Sequence, residues 1–259
     1  MAVPNVTIPQ SSETSVYSSD IHNGLRLCSF NCSSVKNCIP VIRELYDNHD
    51  ILLLQEHWLL PNELNLLGAI HPQFLSIGLS AVDISNNVLL GRPYGGTAIL
   101  FRNDVLCNYS SVDSDDSRIT GLEFRTMMGS VLLLNVYMPV DYGDSDSLEC
   151  YVECLGKLKA IIHNSEALNI IIAGDFNCSN DTRFFSEFST FVNESDLTIS
   201  DMSRLSNVHT YISDDGIRRT WIDHILASST VDQLISDINI LNDVIVSDHK
   251  PISLGWYQC

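Results

Sequence analysis

Basic residues are scarce in this chain: 14 Lys and Arg stand against 32 Asp and Glu, a net charge of −18. Sequence-independent affinity for nucleic acid comes from Lys and Arg neutralising phosphates, so a broad basic binding surface is excluded. A local basic strip is not, and acidic groups gathered around divalent cations would be less hostile to phosphate than the formal charge. Long hydrophobic runs are lacking too: none approaches membrane-spanning length, and Met1 to Gly24 has no apolar core of a signal peptide. The eight cysteines contain no C-x-x-C pair. Cys28/Cys32 and Cys150/Cys154 are separated by three intervening residues without a nearby histidine pair, which disfavours a structural zinc site. Free thiols in a reducing intracellular setting are the expectation, and the N-x-S/T sequons at Asn5, Asn108 and Asn193 then read as chance. Internal repeats and low-complexity segments are absent.

With 259 residues, 45% of them hydrophobic, the chain can bury a sizeable core. Residues 1–24, rich in Ser and Thr, read as a flexible N-terminal tail, and residues 25–259 as one domain. Alternation over Leu25 to Phe30 predicts a strand ending at Asn31, and Val35, Ile39, Ile42, Leu45 and Tyr46 recur at helical spacing. Ile51 to Leu54 is a short continuous apolar run, the pattern of a strand buried on both faces, and it ends in Gln55-Glu56. Gly95-Gly96 precedes a strand over Thr97 to Phe101; Val131 to Val136 forms another, closing at Tyr137. Leu148 to Ile162 predicts an amphipathic helix. Ile170 to Ala173 is the strand before Asp175, and Phe184, Phe185 and Phe188 suggest a short helix. Tyr211-Ile212 and Ile217 to Trp221 flank a Ser-Asp-Asp-Gly hairpin turn. Strands over Ile222 to Ala227 and Pro251 to Trp256 complete the pattern. Helices without strict βαβ alternation favour an α/β sandwich over a barrel or a doubly wound sheet.

One theme recurs: a polar residue at the end of an apolar strand. Asn31, Glu56, Tyr137, Asp175 with Asn177, and Asp223 fit it, and Ser247-Asp248-His249 precedes the last strand. Each alone has a bland interpretation as a loop, cap or rim residue. Together they place carboxylates, amides and an imidazole where a sheet presents its chemistry. Asp and Asn offer oxygen to hard cations, and His carries charge near neutral pH. Metal-assisted hydrolysis is the chemistry these residue types suit.

Phe30-Asn31, Gln55-Glu56, Asn135 to Pro139 (NVYMP), Gly174 to Asn177 (GDFN), Ile222 to Ile225 (IDHI) and Ser247 to His249 (SDH) follow a familiar order. In it the chain resembles the endonuclease/exonuclease/phosphatase superfamily, the group of deoxyribonuclease I and the apurinic/apyrimidinic endonucleases. The resemblance spans about Leu25 to Trp256. It is strongest toward the endonuclease domain of non-LTR (LINE-type) retrotransposons, through Gln55 to Leu59 (QEHWL), Gly95 to Arg102 (GGTAILFR) and the spacing from Thr210-Tyr211 to Asp223. The Trp-x-Asp-Arg run of inositol phosphatases is absent, since Trp221-Ile-Asp-His stands there. The implied fold is a four-layered α/β sandwich, two mixed β-sheets packed face to face with helices outside.

The resemblance also implies roles. Glu56 would ligate Mg²⁺, with Mn²⁺ the alternative; Asn31 would support it or a phosphate oxygen, and Asp248 would assist the metal or its waters. Asp175 would orient or deprotonate the attacking water, and Asn177 would hold water or phosphate beside it. His249 would bind the scissile phosphate and stabilise developing charge, with Asp223 orienting the imidazole. Tyr137 would donate to a phosphate oxygen. Thr210 and Ser247 would hold the phosphate or the groups around it. Lys36, Arg218 and Arg219 are candidate substrate contacts, with Lys250 after the histidine. Cys32-Ser33-Ser34 departs from the family, which often has a polar or acidic residue two positions after the Asn.

The expected activity is a Mg²⁺-dependent endonuclease that nicks DNA and leaves a 3′-hydroxyl for target-primed reverse transcription. A reverse transcriptase domain, missing from this chain, would be a partner; no membrane association is expected, and the compartment would be nuclear where the substrate is DNA. A phosphatase or RNA-directed phosphodiesterase of the same fold is the alternative, and a catalytically idle binding module is the alternative of another class.

Overall fold

A computed structural model of the protein describes residues 24–84 and 91–257. The segment read as a flexible tail lies, apart from Gly24, outside the described residues. The first sheet holds β1 (Gly24–Asn31), β2 (Ile51–Gln55), β3 (Phe74–Leu79) and β4 (Thr97–Arg102). The second holds β5 (Cys107–Val112), β6 (Ile119–Thr126), β7 (Gly129–Tyr137), β8 (Asn169–Asp175) and β9 (Leu197–Ile199). A small hairpin of β10 (Tyr211–Ile212) and β11 (Arg219–Thr220) stands apart. Next, β12 (Asp223–Ser228) joins the second sheet, and β13 (Ile235–Ile240) and β14 (Ile252–Tyr257) join the first. The sheet orders are β13-β14-β1-β2-β4-β3 and β5-β6-β7-β8-β12-β9. Each sheet is mixed, with β1/β2 and β7/β8 parallel and the other pairs antiparallel.

Helices α1 (Val35–Tyr46), α2 (Asn65–Ala69), α3 (Ser145–Asn164), α4 (Phe185–Glu194), α5 (Ser200–Arg204) and α6 (Ser229–Asp232) complete the chain. The side-chain period of two explains the layers. In β2, Ile51 and Leu53 point between the sheets, against Leu133 of β7 and Ile171 of β8, while Leu52 and Leu54 point outward against Cys38 and Ile42 of α1. Likewise Leu132 and Leu134 of β7 meet Tyr151, Leu158 and Phe188 of α3 and α4. Both faces of the central strands are buried, which is why their sequences run apolar without alternation. The four layers implied by the resemblance are those observed.

The α3 helix begins earlier than its apolar spacing indicates, because Asp144 accepts a hydrogen bond from the Ser147 N–H and caps it. The β10/β11 hairpin is shorter than Ile217 to Trp221 suggests, and Ile217 is exposed at its tip. No helix among the described residues is long and apolar enough to cross a membrane.

Toward the functional end the inter-sheet core turns polar. Gln55 Nε2 donates to Asn135 Oδ1 at 2.6 Å across the sheets, and Asn135 Nδ2 donates to the Leu54 and Ala98 carbonyls, both at 2.9 Å. Thr97 and Thr120 share a 2.6 Å hydroxyl bond. Replacing Asn135→Leu removes one acceptor of the Gln55 amide and the donor shared by the Leu54 and Ala98 carbonyls, at a cost of about 1–3 kcal/mol for each buried polar group left unpaired. Urea denaturation would register the loss; an unchanged midpoint would show that this layer adds nothing to stability.

Candidate active site

Parallel pairing places the C-terminal ends of β1 and β2 side by side, and those of β7 and β8 likewise. Asn31 ends β1, Glu56 follows β2, Tyr137 ends β7 and Asp175 ends β8. Antiparallel β12 brings its first residue, Asp223, into register with Asp175. The loop before β14 delivers His249, which bridges to Tyr211 of the hairpin. Gly174 is required at this junction: a Cβ there would collide with the Val136 carbonyl of neighbouring β7.

The side chains converge. Asn31 Nδ2 lies 3.0 Å from Asp175 Oδ2, 3.5 Å from Glu56 Oε1 and 3.5 Å from His249 Nε2. His249 Nδ1 is 2.9 and 3.1 Å from the two Asp223 oxygens, and Nε2 is 3.7 Å from Asp175 Oδ2. A carboxylate only accepts, so Nδ1 carries the proton. The Asn177 N–H donates to Asp175 Oδ1 at 2.9 Å, and its side-chain amide donates to the Met138 carbonyl at 2.8 Å.

Electrostatics follow from this burial. Asp175 is held above the ordinary carboxylate range, chiefly because burial penalises its charge and also because Asp223 is near; the His249 cation opposes the rise. For His249 burial acts to lower the pKa, but Asp223 and Asp175 outweigh it and hold the ring in its charged, donating form. Burial, then the Glu56 and Asp175 charges, raise the Tyr137 phenol, keeping it a donor.

A hard divalent cation fits the groups present. The carboxylates of Glu56, Asp175, Asp223 and Asp248 face one imidazolium, and such an excess of negative charge in a half-dry pocket calls for a cation. Ligand atoms of Asp175, Asp223 and His249 lie within 4.8 Å of one another. However, His249 and Asp223 already satisfy each other, which leaves Glu56 and Asp248, both only half-buried, as the accessible oxygen donors. Asn31 presents its amide nitrogen to the pocket, while its oxygen accepts from the Ser33 N–H at 3.2 Å. It is therefore placed to brace the carboxylates and not to ligate through oxygen. Ser33, at the departure from the family pattern, donates to Asp248 Oδ1 at 3.1 Å.

The other expected residues sort clearly. Thr210 is fully buried, and its hydroxyl accepts from the Ile222 and Asp223 N–H groups at 3.1 and 3.0 Å. Ser247 donates to the Asn31 carbonyl at 2.8 Å and accepts from the His249 N–H at 3.1 Å. Both hold the frame of the pocket. Lys36 is exposed and paired with Glu63 at 2.6 Å. Arg218 and Arg219 are exposed on the hairpin.

A sequence profile of the endonuclease/exonuclease/phosphatase family matches residues 28–249. The chain belongs to this family. No curated protein matches it significantly. Among solved structures it is similar to an AP endonuclease, LMAP, from Leishmania major (14% identity, 97% of this chain and 93% of that one covered, TM-score 0.75). The 3′ phosphatase NExo from Neisseria, bound to product DNA hairpin, shares 17% identity over 90% of this chain and 99% of its own, with TM-score 0.70. The endonuclease domain of TRAS1, a telomere-specific non-LTR retrotransposon, shares 16% over 91% and 99%, with TM-score 0.67. Membership makes the protein a hydrolase of the nuclease or phosphatase type.

Within this family site, several contributors carry contacts to which the motifs assign no role. Tyr211 packs edge-on against His249 at 5.1 Å between ring centroids. Trp58 Nε1 donates to Glu56 Oε2 at 2.8 Å. Arg118 donates to the Tyr137 carbonyl at 3.3 Å and lies 5.4 Å over its ring. Cation placement is uneven. Arg26, Lys36, Arg102, Lys157, Lys159, Arg183 and Arg204 are held in ion pairs. Arg92, Arg118, Arg218, Arg219 and Lys250, attached to residues around the pocket, have no ion pair among the described residues, nor have Arg43 and Arg125 elsewhere; Lys250 Nζ donates to the Val244 carbonyl at 2.6 Å.

Beneath Asp223 lies a second buried pair. His224 Nδ1 is 2.9 Å from Asp201 Oδ2, and Nε2 is 2.9 Å from the Cys178 carbonyl. Both partners only accept, so both ring nitrogens donate and the ring is an imidazolium. Burial acts to lower its pKa, but the Asp201 charge and hydrogen bond, the Cys178 carbonyl and the Asp223 charge raise it overall. A raised histidine contributes stability in full below its ordinary pKa of about 6.5 and loses it as pH rises through the folded value. The stability advantage of wild type over His224→Gln is therefore expected to shrink with rising pH, read by urea denaturation across a pH series. An advantage that grows with pH would exclude a charged ring.

Proposed function

We propose that the protein is a Mg²⁺-dependent phosphodiesterase that nicks DNA and leaves a 3′-hydroxyl, an end that a reverse transcriptase would extend. The observation that carries the proposal is the convergence of Glu56, Asp175 and His249, with Asp223 behind the imidazole, around the Asn31 amide. Phosphodiester displacement needs an in-line nucleophile and donors for the charge that develops on phosphate. Asp175, fixed by Asn31 and Asn177, orients the attacking water and in its ionised form takes its proton. As the water oxygen bonds to phosphorus the P–O3′ bond breaks, and the leaving oxygen takes a proton from solvent to become the 3′-hydroxyl. His249, held by Asp223, donates from Nε2 to a non-bridging oxygen, and the Tyr137 hydroxyl donates to another. Mg²⁺, or Mn²⁺ in its place, held at Glu56 with Asp248 beside it, would supply charge neutralisation on the phosphate.

The DNA substrate is supported by Arg118 against Tyr137 and by Arg218 and Arg219 exposed on the hairpin, none of them in an ion pair among the described residues, and by likeness in fold to a structure bound to a DNA hairpin. Nuclear residence would follow from that substrate. The retrotransposon connection rests on the motif resemblance together with the fold of the TRAS1 domain. A phosphatase of the same fold is the second reading, favoured by the net charge of −18, which suits a small substrate better than a long polyanion.

Nicking of supercoiled plasmid with and without Mg²⁺ tests the proposal. Asp175→Asn and His249→Ala are each expected to lower the rate about 10²–10⁴-fold. Undiminished nicking by either variant would remove the mechanism. Absent nicking alongside brisk hydrolysis of a phosphate monoester would favour the phosphatase.

A further inference from the structure

Trp58 sits two residues after Glu56, and both adopt left-handed backbone, φ 57° and 53°. Residues with side chains rarely hold this conformation unless their surroundings enforce it. The enforcement is visible. The Trp58 N–H donates to the Gly95 carbonyl at 3.1 Å. Buried His57 between them accepts the Leu59 N–H at Nδ1 and reaches the Leu79 carbonyl through Nε2, both at 3.0 Å. Gly96 leaves room for that ring, since a Cβ there would come within 2.5 Å of it.

So held, the indole N–H occupies Glu56 Oε2 at 2.8 Å, leaving Oε1 as the oxygen turned toward Asn31. The indole face carries the Arg92 guanidinium 4.9 Å from its centroid. Arg92 is exposed and, among the described residues, has no carboxylate partner. A guanidinium stacked on an aromatic ring keeps its in-plane N–H fork for a bidentate oxyanion. One side chain thus touches the main accessible carboxylate on one edge and an unneutralised cation on its face.

We propose that Trp58 is a positioning residue with two charges in its keeping: it presents a single Glu56 oxygen to the divalent cation, and it mounts Arg92 as a contact for a backbone phosphate of the bound nucleic-acid strand. This rests on the phosphodiesterase proposal above. Partners that orient a metal-ligating carboxylate set metal affinity, typically by about 10- to 100-fold. A phosphate-contacting arginine sets affinity for all sequences alike and contributes about one unit to the salt slope.

Two variants separate the functions. Trp58→Phe keeps a ring for Arg92 and loses the N–H. Calorimetric titration with Mg²⁺ alone is expected to show binding weakened about 10-fold or more, while duplex binding in EDTA stays at the wild-type level. Arg92→Gln, a change at an exposed residue, should leave the Mg²⁺ titration unaltered. It should weaken duplex binding in EDTA several-fold and make the log–log salt dependence shallower by about one. Wild-type Mg²⁺ affinity in Trp58→Phe, or a wild-type salt slope in Arg92→Gln, overturns the proposal while leaving the nuclease assignment standing. A wild-type chain that binds neither Mg²⁺ nor duplex overturns both.

Discussion

The 3.0 Å hydrogen bond from Asn31 to Asp175 is where the two sheets meet chemically. Asn31 ends a strand of one sheet and Asp175 a strand of the other, so the pocket exists only while the sheets keep their relative position. The apolar layer between them supplies cohesion but no direction, since dispersion and burial are indifferent to small slides. Direction comes from the polar contacts above it: Gln55 to Asn135, Thr97 to Thr120, and then Asn31 to Asp175. Misalignment there would leave buried donors unpaired, which is costlier than loosened apolar packing.

Charge is managed by the same geometry. Carboxylates drawn together by strand ends would repel, yet each is provided for. Asp223 has His249, Asp175 has two N–H donors, Glu56 has the Trp58 indole, and Asp248 has Ser33. Half of the Lys and Arg side chains are held in ion pairs with carboxylates, among them Lys157, Arg183 and Arg204.

Strands buried on both faces announce themselves in sequence: Ile51 to Leu54 and Val131 to Val136 are unbroken apolar runs. The strands not anticipated include all four sheet edges, β3, β5, β9 and β13. An edge buries less and carries polar residues, so its alternation is diluted; β6, interrupted by Gly121, hid for a related reason. In the pocket, residues that directly follow an apolar run were legible because the run fixes where they emerge. Trp58 stood inside a motif, but its work depends on the rotamer that aims Nε1 at Glu56. The His224–Asp201 pair joins residues 23 apart across a helix and a strand, a contact no local pattern encodes.

Gly174 separates scaffold from chemistry in an instructive way. Its neighbour's carbonyl occupies the space any larger residue would need, whether or not the pocket hydrolyses anything. A descendant that abandoned hydrolysis for simple binding would still be compelled to keep this glycine, while Glu56 and His249 became free to drift. The glycine of GDFN is thus a record of how closely two chains run together, and the side chains around it are the record of what the molecule does.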